Sequence, residues 1–200
     1  MRRDEIAVLA GIGALASFGH DRRGALWQVE RAVRAAGPLL DQPAIAPGLL
    51  EEEQARASPL SRMSLAERVS ADYDGMGLTI GPHPMALRRG DLALRGVLRA
   101  GDLPKGRHGR RVRVAGAVIT RQRPGTAKGF VFLTLEDETG IANVIVTPDL
   151  FAASRAVVTG EAYLLVEGVL QIQEGVTAVK ADRLLGLAGA GPDIESHDFH

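Results

Sequence analysis

The sequence of 200 residues predicts an α+β protein, in which a helical N-terminal half precedes a five-stranded β-barrel. Two observations predict this order. Apolar residues recur at helical spacing in the first half, whereas from Arg111 onward they alternate with polar residues, as in strands that bury one face. Five strand-like segments then follow one another, and a single helical segment separates the third from the fourth.

The first 63 residues are predicted to form helices followed by a linker. Residues 1–36 contain apolar stripes at helical spacing, interrupted by glycine-containing turns. Asp21 stands where the N-cap of the helix carrying Trp27 is expected. Residues 37–63 contain four prolines and an acidic run, a composition that favours a linker.

Residues 64–104 are predicted to form a helical connector between the linker and the barrel. The pattern S-x-x-E at Ser64–Glu67 is that of a capping box, in which a serine and a glutamate satisfy the first backbone N–H groups of a helix. We expect that helix to continue to about Tyr73. Apolar spacing then predicts a second helix from Met85 to Leu98.

Residues 105–186 are predicted to form the barrel, and residues 187–200 a flexible tail. Five strands with a helix between the third and the fourth is the order of an OB-fold, which binds nucleic acid on the face of its second and third strands. The first strand starts at Arg111, and residues 121–129 form the loop after it. The other predicted elements are the strands Phe130–Leu135, Ile141–Val146, Tyr163–Gln173 and Val176–Leu185 and the helix Pro148–Ala156.

The charge of the chain is unevenly distributed, although its formal sum is +0. Residues 103–135 contain eight bases and no acid, whereas the residues from Glu136 to the end contain eleven acids and three bases. A block of one sign is the usual signature of a site for a polyanion. The sequence has no cysteine, which excludes disulfides and thiolate metal sites, and no apolar run near the ~20 residues that cross a bilayer. No membrane contact is expected, and a cytoplasmic location is the default expectation.

Seven residues of the barrel are candidates for nucleic-acid contact. The loop residues Arg121, Arg123 and Lys128 have no acid nearby in sequence, so phosphate contact is the favoured interpretation. Arg111 and Arg113 alternate with valines and therefore point outward, where they bind phosphate or only increase solubility. The remaining two candidates, Phe130 and Phe132, share one face of the second strand, where each belongs to the core or stacks on an unpaired base.

Four other motifs carry a weaker functional signal. Asp72-Tyr73-Asp74 has the D-x-D form of a two-metal site, but no third carboxylate strand accompanies it, and a solvated surface is favoured. Gly11-Ile12-Gly13 resembles a phosphate-binding hairpin, yet a simple turn between helices is favoured. His83 lies between prolines and is predicted to be structural. His197–His200 is treated as a terminal peptide, so neither a catalytic residue nor a metal ligand is predicted.

Three segments carry a resemblance to a known family. Arg121–Gly129 with Phe130–Gly140 resembles the OB module at the C-terminal end of bacterial error-prone DNA polymerases, which belong to the C family and are related to the polymerase III alpha subunit. Ala71–Met85 is similar to the segment that precedes that module. Ser17–Trp27 is similar to the end of the helix-hairpin-helix region of the family. The matches are collinear and cover nearly the whole chain.

The resemblance implies that the chain is a C-terminal fragment of an error-prone polymerase, without the palm domain that carries catalysis and Mg²⁺. No cofactor is therefore expected in this chain, and activity of the chain alone is not expected. The implied function is binding of the single-stranded DNA template during lesion bypass. Alternatives are a protein-interaction module that contacts other lesion-bypass or replication proteins, and a non-functional truncated remnant.

Overall fold

The computed structural model describes residues 2–32, 58–189, 191–192 and 196–199. They belong to two compact units, Met1–Leu78 and Thr79–His200. Residues 79–104 therefore lie in the same unit as the strands, whereas the sequence interpretation assigned them to a helical connector. Most of the predicted linker 37–63 lies outside the described residues. No helix among the described residues is long and apolar enough to cross a membrane.

The first unit contains three α-helices among its described residues, α1 (Arg3–Gly11), α2 (Arg22–Ala32) and α3 (Leu65–Met76). Its small core is formed by Ala10, Ala25 and Val29, with Ile6, Leu15 and Leu26 packed against them. These are the apolar stripes that the helical spacing of the sequence predicted.

Local capping signals predicted the helix starts correctly. The Asp21 carboxylate accepts a hydrogen bond of 2.8 Å from the backbone N–H of Gly24, which makes it the cap of α2. At α3, the Ser64 hydroxyl accepts from the Glu67 N–H at 3.2 Å, and the Glu67 carboxylate accepts from the Ser64 N–H at 2.7 Å. The helix continues past Tyr73 to Met76, because Gly77, with φ of 70°, supplies the left-handed residue that ends it.

The glycines after α1 form a turn between helices. The N–H groups of Ile12, Gly13 and Ala14 donate to carbonyls of the last turn of α1 at 2.9–3.1 Å. Since these donors are used within the chain, they do not form the backbone cradle that a phosphate-binding hairpin needs.

The structure corrects the interpretation of Asp72. Its side chain is buried rather than solvated, and it forms a 2.6 Å ion pair with Arg22 of α2. Only Asp74 of the D-x-D motif is exposed as expected. The motif therefore joins two helices of the first unit.

The predicted helix Met85–Leu98 is broken into two short helices, α4 (Pro84–Leu87) and α5 (Arg89–Leu94). The break lies at Arg88, whose ψ of 0° is not helical. The chain then turns at Gly96, with φ of 71°, and Leu98 forms an isolated parallel bridge with Val114. Pairing with the barrel thus replaces the last helical turn that apolar spacing alone predicted.

Five strands close the barrel in the order β2-β3-β5-β4-β1, with a further pairing of β1 and β2. All pairs are antiparallel except β3 with β5, and the core of valines and leucines fills the barrel. This closed arrangement, with a helix after β3, is an OB-fold, as the sequence predicted. Its elements are β1 (Arg111–Gln122), β2 (Val131–Asp137), β3 (Gly140–Val146), α6 (Pro148–Gly160), β4 (Tyr163–Gln173) and β5 (Val176–Gly186).

The long strand β1 bends to close the barrel. Its first half pairs with β4 and its second half with β2, and the register shifts between Val118 and Thr120. At the crossing point Gly116 lies against β2, where a Cβ atom would come within 2.6 Å of the Glu136 carbonyl oxygen. The close approach therefore requires glycine at this position.

Several described residues of the predicted tail 187–200 contact the barrel. Leu187 is buried against the outside of the barrel, and the Pro192 carbonyl accepts a 2.9 Å hydrogen bond from the Tyr163 hydroxyl. His197–Phe199 then forms the short strand β6, which pairs in parallel with Thr120–Gln122 of β1. β4 has left β1 at this point, so β6 covers an edge that would otherwise be unpaired.

Candidate nucleic-acid interface

Phe132 lies on the outer surface of the barrel. Its neighbours in sequence, Val131 and Leu133, are buried in the core, whereas Phe132 is 36% exposed. In the sheet it stands between Gln122 of β1 and Ile145 of β3, whose partner on β5 is the exposed Lys180. A partly exposed aromatic ring on the outer face of β2 is suitably placed for stacking on a base.

Phe130 does not share this position. It precedes β2 instead of belonging to it, it is only half exposed, and its N–H donates to the Ala127 carbonyl at 3.0 Å. The sequence interpretation extended β2 one residue too far at this end, because alternation alone does not mark where a loop becomes a strand. Phe130 supports the loop that precedes β2.

The β1–β2 loop presents Arg123 and Lys128 at the surface. A short turn of 3₁₀-helix, Gly125–Ala127, holds it, and Lys128 follows in the left-handed conformation with φ of 50°. The Arg123 guanidinium lies 5.1 Å from the centre of the Phe151 ring of α6. That contact orients the side chain without neutralising its charge. Both cations therefore remain available to phosphate.

The structure assigns a different role to Arg121. It belongs to β1 and not to the loop, and its guanidinium donates to the carbonyl oxygens of Val158 and Glu161, each at 2.7 Å. It also donates to the Ser196 hydroxyl. Cationic donors at the end of a helix satisfy carbonyls that lack a partner within it. Arg121 thus joins β1, the end of α6 and the C-terminal segment, and it is not placed in a phosphate-binding loop.

Arg111 and Arg113 point outward, as the alternation predicted, but both have acidic partners. Arg111 forms a 3.0 Å ion pair with Asp182 of β5, and Arg113 a 2.8 Å ion pair with Glu167 of β4. The fold therefore places the basic block of the sequence against part of the acidic block. The Arg111 pair is the more exposed of the two, and such pairs exchange readily with water and salt, so Arg111 can still contact phosphate. Arg113 is held more firmly, because it also donates to the Arg95 carbonyl at 3.1 Å.

Asp137 fixes the β2–β3 turn. Its buried carboxylate accepts from the Thr139 N–H at 2.7 Å and from the Ala100 N–H at 2.8 Å. Arg89 of α5 lies 3.0 Å from Asp137 and 2.5 Å from Glu138. The sequence does not indicate that Arg89 pairs with Asp137, because the two residues are 48 positions apart. This network attaches residues 89–100 to the barrel.

His83 has the structural role that was predicted. Its Nδ1 accepts a 3.1 Å hydrogen bond from the Met85 N–H and so caps α4. Burial lowers the pKa of His83, although the nearby carboxylates of Glu136, Asp137 and Glu138 act in the opposite direction. The capping bond requires an unprotonated Nδ1, which agrees with a neutral imidazole. Among the described residues, no group of three or more His, Asp or Glu side chains is placed to hold a metal ion.

Comparison with known proteins agrees with the geometry of the barrel. Residues 112–185 match the family model described as the OB-fold nucleic acid binding domain. The matched range starts within the first residues of β1 and ends one residue before the end of β5. An OB-fold nucleic-acid-binding domain therefore forms the larger part of the second unit.

Over nearly its whole length the chain is similar to a segment of error-prone DNA polymerases, which confirms the family resemblance. It is 44% identical over 181 residues to the error-prone DNA polymerase of a Bradyrhizobium species, which is 90% of this chain and 15% of that polymerase. The polymerase of Alkalilimnicola ehrlichii is 40% identical over 202 residues, covering 100% of this chain and 19% of the polymerase. The chain thus spans less than a fifth of the curated relatives it matches.

Among solved structures, asparaginyl-tRNA synthetase from Pyrococcus horikoshii is similar to part of the chain. The two are 25% identical with a TM-score of 0.37, over 44% of this chain and 22% of the synthetase chain.

Proposed function

We propose that the chain binds single-stranded DNA, as the template-holding part of an error-prone DNA polymerase that acts in lesion bypass. The observation that carries this proposal is the partly exposed Phe132 ring on the outer face of an OB barrel, beside the basic β1–β2 loop. The similarity to error-prone polymerases supplies the biological setting. Polymerase chemistry and its Mg²⁺ would belong to other parts of such a polymerase.

The two parts of the interface would act on different parts of the strand. Phe132 would stack on one unpaired base, an interaction worth about 1–3 kcal/mol per base and tolerant of sequence, because every base has a flat face. Arg123 and Lys128 would contact phosphates and release their counterions. Binding would then weaken steeply with salt and show little sequence preference.

Fluorescence anisotropy with a labelled strand of ~20 nucleotides tests this function, since one OB-fold covers about 4–16 nucleotides. Phe132→Ala should raise the Kd about 5-fold to 150-fold, whereas Phe132→Trp should keep most of the affinity. Leu94→Ala is the matched control, because Leu94 is 90% exposed on α5, outside the strands. Salt-independent binding, or equal Kd values for the Phe132→Ala and Leu94→Ala proteins, would contradict the proposal.

A second candidate function is protein docking. Ile80 and Leu94 of the second unit are 80% and 90% exposed, and exposed apolar side chains are common at protein interfaces. In that case the folded chain would not change the anisotropy of the labelled strand at low salt. The Phe132 variants would give the same anisotropy as wild type.

A further inference from the structure

A second cluster of arginines surrounds a cavity at the start of β1. The cavity has a volume of about 320 Å³, and Arg110, Arg111, Arg113 and Glu167 contribute to its lining. Gly96 and Gly168 also line it, so part of its wall is backbone. A side chain cannot replace the hydrogen at Gly168, because a Cβ atom would lie 2.2 Å from the Lys180 carbonyl oxygen. The close approach of β5 to β4 therefore requires glycine at this point of the cavity wall.

The charge around this cavity is positive. Glu167 and Asp182 each pair with one arginine, at 2.8 Å and 3.0 Å. Within the described part of the chain, Arg110 has no ion-pair partner, and its side chain is exposed. Lys180 and Arg183 add two further exposed bases on the neighbouring strand β5. Cations that exceed the nearby acids around a polar cavity favour an anionic ligand.

The sheet register connects this cavity to Phe132. Phe132 pairs with Ile145, Ile145 with Lys180, Lys180 with Val169, and Val169 with Arg111. Phe132, Lys180 and Arg111 are exposed, and Ile145 and Val169 are half-buried. All five alternate with core residues on their strands. They therefore form one outward row around the barrel. Four strand spacings of ~4.8 Å give a path of about 19 Å along the surface.

We propose that the arginine cavity is a second phosphate site, which holds the DNA strand after it has crossed Lys180 from the base stacked on Phe132. This inference rests on the proposed function and names the path of the bound strand. Phosphate fits the chemistry, because guanidinium groups bind its oxygens through paired donors. A path of about 19 Å corresponds to roughly six nucleotides at the stacked rise of ~3.4 Å and to fewer in an extended strand. A strand must then exceed a minimum length to reach both sites.

Oligonucleotide length separates the two sites. The Kd values of labelled oligothymidylates of about 4 and about 12 nucleotides would be measured over a range of salt concentrations, since both lengths suit one OB-fold. Arg110→Ala/Arg111→Ala should weaken the 12-mer at least fivefold and reduce its salt slope by about 1.4, or about 0.7 for each phosphate contact. The same variant should leave the 4-mer unchanged. Phe132→Ala should weaken both oligonucleotides.

Arg155→Ala is the control for loss of positive charge, because Arg155 is exposed on α6, which contributes no residue to the row or to the cavity lining. If Arg110→Ala alone weakens the 12-mer no more than Arg155→Ala does, or if the double variant weakens the 4-mer equally, the second site is refuted. The proposed function would survive either result as long as Phe132→Ala weakens binding. Absence of binding to both oligonucleotides by the folded wild-type chain would instead overturn the proposed function.

Discussion

Replacement of Arg121 separates a structural arginine from a phosphate-binding one. In Arg121→Ala the chain loses the donors to the Val158 and Glu161 carbonyls and to the Ser196 hydroxyl. The end of α6 loses its cation, and the C-terminal segment loses an attachment to β1. The side chain contacts protein groups on three segments, so its removal should act on folding and not on DNA binding.

The size of the effect follows from these bonds. A hydrogen bond to a charged group contributes about 1.5–3 kcal/mol, whereas neutral bonds contribute about 1 kcal/mol. Arg121 is half-buried, and water can reach part of the site in the variant. The three bonds together contribute about 4.5–9 kcal/mol, and we halve this sum because of the exposure. We therefore expect Arg121→Ala to lower the free energy of unfolding by about 2–4 kcal/mol.

The assay compares stability and binding in the same proteins. Urea unfolding followed by far-UV circular dichroism gives the free energy of unfolding, and the salt dependence of Kd for a labelled single strand gives the number of phosphate contacts. Arg123→Ala/Lys128→Ala should change the free energy of unfolding by less than about 1 kcal/mol, since one cation–π contact and a solvated lysine are removed. That variant should reduce the salt slope by about 1.4. Arg121→Ala should leave the slope unchanged.

The opposite pattern would refute the structural role of Arg121. If Arg121→Ala kept wild-type stability and reduced the salt slope as Arg123→Ala does, the side chain would contact phosphate as the sequence interpretation proposed. Arg121→Lys provides the control for charge. A single ammonium group keeps the charge but cannot reproduce the planar set of donors, so it should restore little of the lost stability.

Three further predictions concern the folded state. Stability should fall as the pH decreases below 6.5, the ordinary pKa of histidine, because burial lowers the pKa of His83 in the folded protein and the unfolded chain then binds more protons. His83→Asn should reduce this fall, since asparagine caps a helix without titrating, and urea midpoints at pH 7.5 and pH 5 measure the difference. Asp137→Ala should cost about 3 kcal/mol in urea unfolding, because it leaves the Ala100 N–H without its acceptor and removes one of the two carboxylates that pair with Arg89; Asp149→Ala, at an exposed position, should cost far less. Ser64→Ala should cost about 1 kcal/mol in the first unit, which the fluorescence of the single tryptophan, Trp27, reports; an unchanged midpoint would argue against the capping box.

Sequence reasoning was most successful where the signal is local. The Ser64 capping box depends on four consecutive residues, and the strand Tyr163–Gln173 was predicted with both of its ends. That strand ends at the turn Glu174-Gly175, where both residues have positive φ, of 49° and 81°. Turn chemistry and alternation therefore set these boundaries without any knowledge of distant residues. The partner of Asp72 could not be predicted in this way, because Arg22 lies 50 positions away in sequence.

Arg121 shows how one irregularity changes a functional assignment. Val112 and Val114 point into the barrel, so strict alternation along β1 would place Arg121 on the outer face with Arg111 and Arg113. The register shift between Val118 and Thr120 reverses the alternation, and Arg121 then pairs with Leu133, a core residue of β2. A β-bulge has no strong sequence signature, although it moves every later side chain to the other face. The error at Phe130 has a different cause, because β2 starts one residue later than alternation predicted.

The fold gives the eight bases of residues 103–135 different surroundings. Lys105 pairs with Asp102 at 3.0 Å, Arg113 with Glu167, and Arg121 supports the fold. Arg107, exposed before the start of β1, belongs to neither proposed site. Arg110, Arg111, Arg123 and Lys128 remain suited to phosphate, and Lys180, outside the block, lies between them on the surface row. Five contacts predict a salt slope of about −3.5, whereas eight would give about −5.6. A measured slope near the larger value would mean that bases outside these five, including those paired with Asp102 and Glu167, also contact phosphate. The charge of the sequence block would then predict binding better than the position of each side chain in the fold.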